Sequence, residues 1–160
     1  MNNIKLPIAK HIKAEREERG WSIEQLAEKS HIHPMTLQKI ELGYTQNPNL
    51  STLYYIARAF GTTVGNLEVG QCNQVQSKSN YPFSIIGNQL KQLREEANLT
   101  GTEMSRYIGK TKQHVYRYER GIGDMRYLDV KGMLENTWFT IDDLLSPLYN
   151  YYTPSKYSCA

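Results

Sequence analysis

Cysteine is nearly absent from this 160-residue chain, which holds only Cys72 and Cys159. One lies in a polar stretch and the other is next to last, so neither a disulfide scaffold nor a metal knuckle is written here. Phenylalanine and tryptophan are scarce, at three and two, whereas tyrosine reaches twelve. No apolar run approaches the roughly 20 residues that span a bilayer, and the N-terminus lacks a signal-peptide pattern, so no membrane partner and a cytoplasmic location are expected. Neither charge sign dominates: 19 basic residues face 16 acidic ones, a net charge of +3. Residues 1–70 carry 8 basic and 7 acidic side chains (net +1), and residues 71–160 carry 11 and 9 (net +2). Any attraction to a polyanion must therefore come from how charges are placed.

The usual catalytic constellations are missing too. There is no Ser/His/Asp order, phosphate-binding glycine loop or Cys/His pair. The acid pairs Glu17-Glu18, Glu95-Glu96 and Asp142-Asp143 are adjacent, so on a helix they diverge, which suits solvation better than acid–base work. His11, His31 and His33 have no cysteine or paired carboxylate to complete a metal site. Neither an enzyme nor a bound metal or cofactor is expected.

What is present is written twice. Thr111–Gly121, Thr-Lys-Gln-His-Val-Tyr-Arg-Tyr-Glu-Arg-Gly, aligns with His33–Gly43 at an offset of 78 residues. The same offset pairs Arg16-Glu17-Glu18 with Arg94-Glu95-Glu96, Ser22 with Thr100, Gln25 with Glu103, Leu26 with Met104 and Leu37 with Val115. Caps match caps and apolar positions match apolar positions, the mark of an internal repeat. The expected organisation is a first domain over 1–69, a polar linker over 70–80, a second domain over 81–146 and a tyrosine-bearing tail over 147–160. Units of that size fold alone, though with small cores.

Each copy reads as five helices. In the first, Ile8, Ala9 and Ile12 stripe a helix over 6–19 that Gly20 stops. Ser22 and Gln25 form a capping box for the second, and Pro34 suits the first position of the third. Leu50, Leu53, Ile56, Ala57 and Phe60 mark a fourth, and Val64 and Leu67 a short fifth. In the second copy the stripe is Ile86, Leu90 and Leu93. Thr100 and Glu103 repeat the capping box, and Thr111 opens the next helix with Gly121 beyond its end. Tyr127, Val130, Met133 and Leu134 make the fourth helix, and Thr140 caps the fifth. Val115 and Tyr118 face inward, which leaves Lys112, Gln113, Tyr116 and Arg117 outward with no acid until Glu119. Such a face is either a basic, solvated surface or a set of readers for base edges in a major groove.

Two short helices joined by a tight turn, then Glu and Gly closing a third, resemble the Cro/repressor (Xre-type) helix-turn-helix family. The resemblance runs from about Ile8 to Leu67 and from about Ile86 to Leu145. It implies an all-α pair of five-helix, lambda-repressor-like domains whose third helices enter the major groove of double-stranded DNA. It also implies structural Arg–Glu pairs, Arg16 with Glu41 and Arg94 with Glu119. Carried over position by position, the readers of the second copy are Lys112, Gln113, Tyr116 and Arg117, with Thr100, Lys110 and Arg126 on phosphate. In the first copy Met35, Thr36, Gln38 and Lys39 take the reading positions, with Ser22, Gln46 and Asn47 on phosphate. The copies are unequal: Pro34 and Met35 offer no hydrogen bond to a base, Ile23 stands where a polar residue is common, and the second copy has no match to Pro48.

Two functions follow. One is a sequence-specific regulator, expected to be a repressor, whose two heads on one chain act as a built-in pseudo-dimer. A linker of this length spans about 17 Å as a flexible coil, compatible with half-sites about 34 Å apart once the domains' own width is included. The other is an interaction or architectural module, antitoxin-like or at a plasmid or phage processing site. There the first copy, or the tail with Tyr149, Tyr151, Tyr152 and Tyr157, meets a protein or a second copy of the chain.

Overall fold

A computed structural model describes residues 6–78 and 80–149. Cys159, Tyr151, Tyr152 and Tyr157 lie outside the described residues. The chain divides into two compact units, residues 1–76 and 77–160. Unit one holds α1 (Pro7–Glu18), α2 (Ile23–Ser30), α3 (Pro34–Glu41), α4 (Leu50–Phe60) and α5 (Val64–Glu68). Unit two holds α6 (Phe83–Glu96), α7 (Gly101–Tyr107), α8 (Lys112–Glu119), α9 (Tyr127–Leu134) and α10 (Ile141–Leu145), followed by a 3-10 turn, Ser146–Leu148. None of the described helices is long and apolar enough to cross a membrane.

The stripes read from sequence form the two cores. Ile8, Ile12, Leu26, Leu37, Ile40, Leu53, Ile56, Phe60 and Leu67 are buried in unit one, as are Ile86, Leu90, Met104, Val115, Val130, Met133 and Leu144 in unit two. Helices this short are marginal alone, so burial of these faces holds them.

Local chemistry sets the ends. Ser22 Oγ accepts from the Gln25 N–H at 3.1 Å while the Ser22 N–H donates to Gln25 Oε1 at 2.8 Å. Thr100 and Glu103 repeat this at 3.2 and 2.7 Å, and Thr140 with Asp143 does so for α10. Thr111 stands at the N-cap of α8 with extended backbone, but its hydroxyl makes no cap bond. The sequence reading missed the equivalent in unit one, where His33 Nδ1 accepts from the Met35 N–H at 3.2 Å. Left-handed residues recur in register too: Gly20 with Asn98, His31 with Gly109 and Gly43 with Gly121. At Gly121 the need is double, because a Cβ there would also lie 2.7 Å from Ser84 Cα on α6.

The repeat changes register once. Asn49 caps α4 and Arg126 caps α9, an offset of 77, and Thr63 and Thr140 keep that value for α5 and α10. The loop after α8 is thus one residue shorter than the loop after α3, and the counterpart of Pro48 is buried Met125. Around the expected linker, the Val75 N–H donates to the Gly61 carbonyl within unit one, at 2.6 Å. In unit two the Lys78 N–H donates to the Leu148 carbonyl at 2.8 Å, and Ser77 bridges to Tyr149, whose side chain is buried.

Candidate nucleic-acid interface

Each unit has its own candidate surface, built in the second by α7, its turn and α8 and in the first by α2, its turn and α3. One fork fixes each third helix. Arg16 Nε and Nη2 donate to Glu41 Oε1 and Oε2 at 2.7 and 2.9 Å, and Nη1 donates to the Trp21 carbonyl at 2.8 Å. Arg94 makes the same three bonds to Glu119 and the Leu99 carbonyl, residue for residue at the offset of 78. Both pairs are largely buried, and the hydrogen bond each guanidinium donates to its carboxylate, ahead of the opposing cost of burial, pushes the guanidinium pKa further up. A planar fork on a carboxylate fixes two distances at once, so the end of α3 or α8 is held in angle against the first helix of its unit.

Outward from this frame, Lys112, Gln113, Tyr116 and Arg117 are all exposed, as the inward placing of Val115 and Tyr118 predicts. Arg120 continues the row one turn on and is exposed as well. Sequence reasoning missed it, although its spacing from Tyr116 and Arg117 was available. Lys91 and Asn88 of α6 also went unremarked; they line an open groove with Arg120, Tyr116 and Ile122 beside the Arg94–Glu119 pair. Tyr116 is no free rod. A Cβ added to Gly101 would lie 2.6 Å from its ring and 2.8 Å from its hydroxyl oxygen, so the ring rests on the first turn of α7.

The same row in unit one is Met35, Gln38, Lys39 and Leu42, all exposed, with Thr36 exposed beside it. Met35 and Leu42 are each about half exposed, and Tyr44 beyond them more so. The row of unit one thus carries one cation between two apolar ends, whereas Gln113, Tyr116, Arg117 and Arg120 of unit two include two cations. Ile23 and Gln38 fill the positions of Gly101 and Tyr116.

The residues expected on phosphate divide. Ser22 and Thr100 are exposed at their helix starts, with hydroxyls engaged in the capping boxes. A bond from the Thr100 N–H holds Glu103 below the usual carboxylate range. Gln46 turns its amide to the Gly43 carbonyl at 2.6 Å, and Asn47 is half-buried. Arg126 is exposed at the cap of α9, and its N–H donates to the Tyr118 hydroxyl at 3.3 Å. Lys110 lies 3.1 Å from the buried carboxylate of Asp129. Burial, with a further push from Asp129, raises the Tyr118 hydroxyl to about 12, so it remains a donor at neutral pH.

Helices that meet across a tight turn, with a clamped third helix showing donors outward, define a DNA-binding helix-turn-helix protein. The sequence matches the helix-turn-helix family over residues 12–67 and again over 90–126, together more than half of the chain. The chain belongs to that family, in its Cro/C1-type, Xre-like form, and carries it in two tandem copies. The second match stops before α9, yet α9 and α10 repeat the caps and buried faces of α4 and α5. No curated protein matches the chain.

Proposed function

We propose that this chain is a sequence-specific regulator of transcription, a repressor, that reads double-stranded DNA in the cytoplasm with two unequal heads. The observation that carries the reading is the outward row of α8. Lys112, Gln113, Arg117 and Arg120 present donors, and the one acid among them, Glu119, is buried in the fork with Arg94 that clamps the helix. Arg117 suits the two acceptors of guanine and Gln113 the donor–acceptor pair of adenine, each worth about 1–3 kcal/mol of discrimination. Thr100 and Arg126 flank the row as phosphate contacts.

The first head contributes less base-specific contact. Lys39 and Gln38 can donate, whereas Met35 and Thr36 offer methyl contact to thymine. Ser22, Gln46 and Asn47 supply positioning. Joining both heads in one chain raises the local concentration of the second once the first has bound, and it allows an asymmetric operator. A second reading is favoured by Met35, Leu42 and Tyr44 together: the first copy serves as a protein contact, for a partner or a second copy of the chain, and only the second copy reads DNA.

The test is selection of bound duplexes from a random library by the full chain and by Arg117→Ala. A two-part site that loses preference in one part in the variant supports the two-headed reader. A single enriched half-site supports the second reading, and no enrichment with either protein refutes the regulator.

A further inference from the structure

Unit two contains a buried polar cluster for which the described residues of unit one have no counterpart at the matching positions. Three donors converge on one oxygen, Asp129 Oδ2: the Tyr118 hydroxyl at 2.8 Å, Lys110 Nζ at 3.1 Å and His114 Nε2 at 3.3 Å. Only 7% of the Asp129 side chain is exposed, so its charge has to be met from within the protein. Lys110 stands just before the N-cap of α8, His114 lies in its first turn and Tyr118 in its last, while Asp129 belongs to the first turn of α9. One carboxylate therefore ties both ends of the reading segment to a different helix. At the matching positions unit one has Ile32, Thr36 and Ile40, and Thr52 at the shifted offset of 77.

This arrangement bears on Lys110, which the family resemblance implies as a phosphate contact. Its ammonium already has an anion, and a buried one. Moving it to a phosphate would exchange one negative partner for another and strand the carboxylate among uncharged or weakly basic donors. A lysine paired in this way also neutralises no phosphate and so releases no counterion when DNA binds.

Building on the DNA-reading function proposed above, we infer that Asp129 is a positioning residue of the reading helix that withholds Lys110 from DNA. Lys110 is a latch between the turn after α7 and the start of α9.

The test is the salt dependence of binding of full-length variants to the selected duplex. Each phosphate neutralised adds about 0.9 to the slope of log affinity against log salt. Lys110→Gln keeps the wild-type slope, and Asp129→Asn steepens it by about 0.9 as the freed lysine turns to phosphate. The double variant returns to the wild-type slope. A carboxylate that served folding alone would leave the slope unchanged in Asp129→Asn, which overturns the inference. So does a slope that falls by about 0.9 in Lys110→Gln. Should Asp129→Asn fail to fold, Lys110→Gln decides by itself. Should the wild type bind no duplex, the proposed function fails, and the latch is judged in the free protein by urea unfolding of the two single variants and the double. Non-additivity of about tenfold in the unfolding constant supports it, and additivity overturns it.

Discussion

Replacing Gly87 with alanine would place a methyl group where α6 passes the last turn of α8. The new Cβ would meet the Tyr118 carbonyl oxygen and lie 2.6 Å from that of Glu119 and 2.9 Å from the Glu119 carbonyl carbon. These neighbours are backbone, so no rotamer relieves the clash, and the two helices must separate by roughly 1 Å to restore ordinary contact. Overpacking of this kind costs about 1–3 kcal/mol. Against it stands the gain of about 1 kcal/mol from putting alanine in place of glycine inside a helix. The balance is a loss of up to about 2 kcal/mol, which for a unit of this size lowers the melting temperature by at most about 8–16 °C. Calorimetry of the full chain reads it as a downward shift of one transition with the other unmoved. The same displacement carries α8 away from the Arg94 fork, so discrimination between the selected site and a scrambled duplex falls as well. A variant more stable than wild type would refute the close approach, because propensity alone predicts a gain. Ala9, the matching residue in unit one, is buried, and Ala9→Gly is expected to lose stability through propensity and lost packing.

Removing one partner of a fork leaves a largely buried charge, so Glu119→Ala is expected to cost about 3–5 kcal/mol in urea unfolding. Glu95→Ala, at the exposed acid near the same arginine, stays within about 0.5 kcal/mol. Burial, followed by the Glu15 carboxylate, pushes the Cys72 thiol up to about 11. At pH 8 its thiolate is about 100-fold scarcer than at a thiol of pKa 9, and iodoacetamide should label it in Cys159→Ser correspondingly slowly. Glu103 has a lowered pKa in the folded protein. Its capping bond therefore stabilises at pH above the unfolded value of about 4.3 and is lost as pH falls through the lowered one. Denaturation of wild type and Glu103→Gln over about pH 3–6 should show the wild-type advantage shrinking toward acid.

Much of this architecture was legible in the chain. Apolar periodicity and caps are local, so Ser22 with Gln25, Thr100 with Glu103 and the buried stripes could be read off neighbouring residues. The Arg–Glu forks span 25 residues, and they came from the family likeness rather than from spacing. Asp129 was invisible for a physical reason. It sits between Tyr127 and Val130 on a helix read by its apolar stripe, and its partners arrive from a turn and a helix up to nineteen residues earlier. Nor does any local rule announce that Gly87 and Gly101 are small because another element passes over them. Arg120 is different: the row through Gln113, Tyr116 and Arg117 already pointed to it.

The match between Tyr116 and Gly101 has a consequence for moving specificity from one protein to another. A helix such as α8 looks like a cassette that could be copied into unit one to give it the same reading face. There the position under the ring belongs to Ile23, whose side chain would occupy the space that Gly101 leaves open. The aromatic and the glycine have to travel together, which makes the transplantable unit the pair α7 and α8. The two halves of this chain are no longer spare parts for each other.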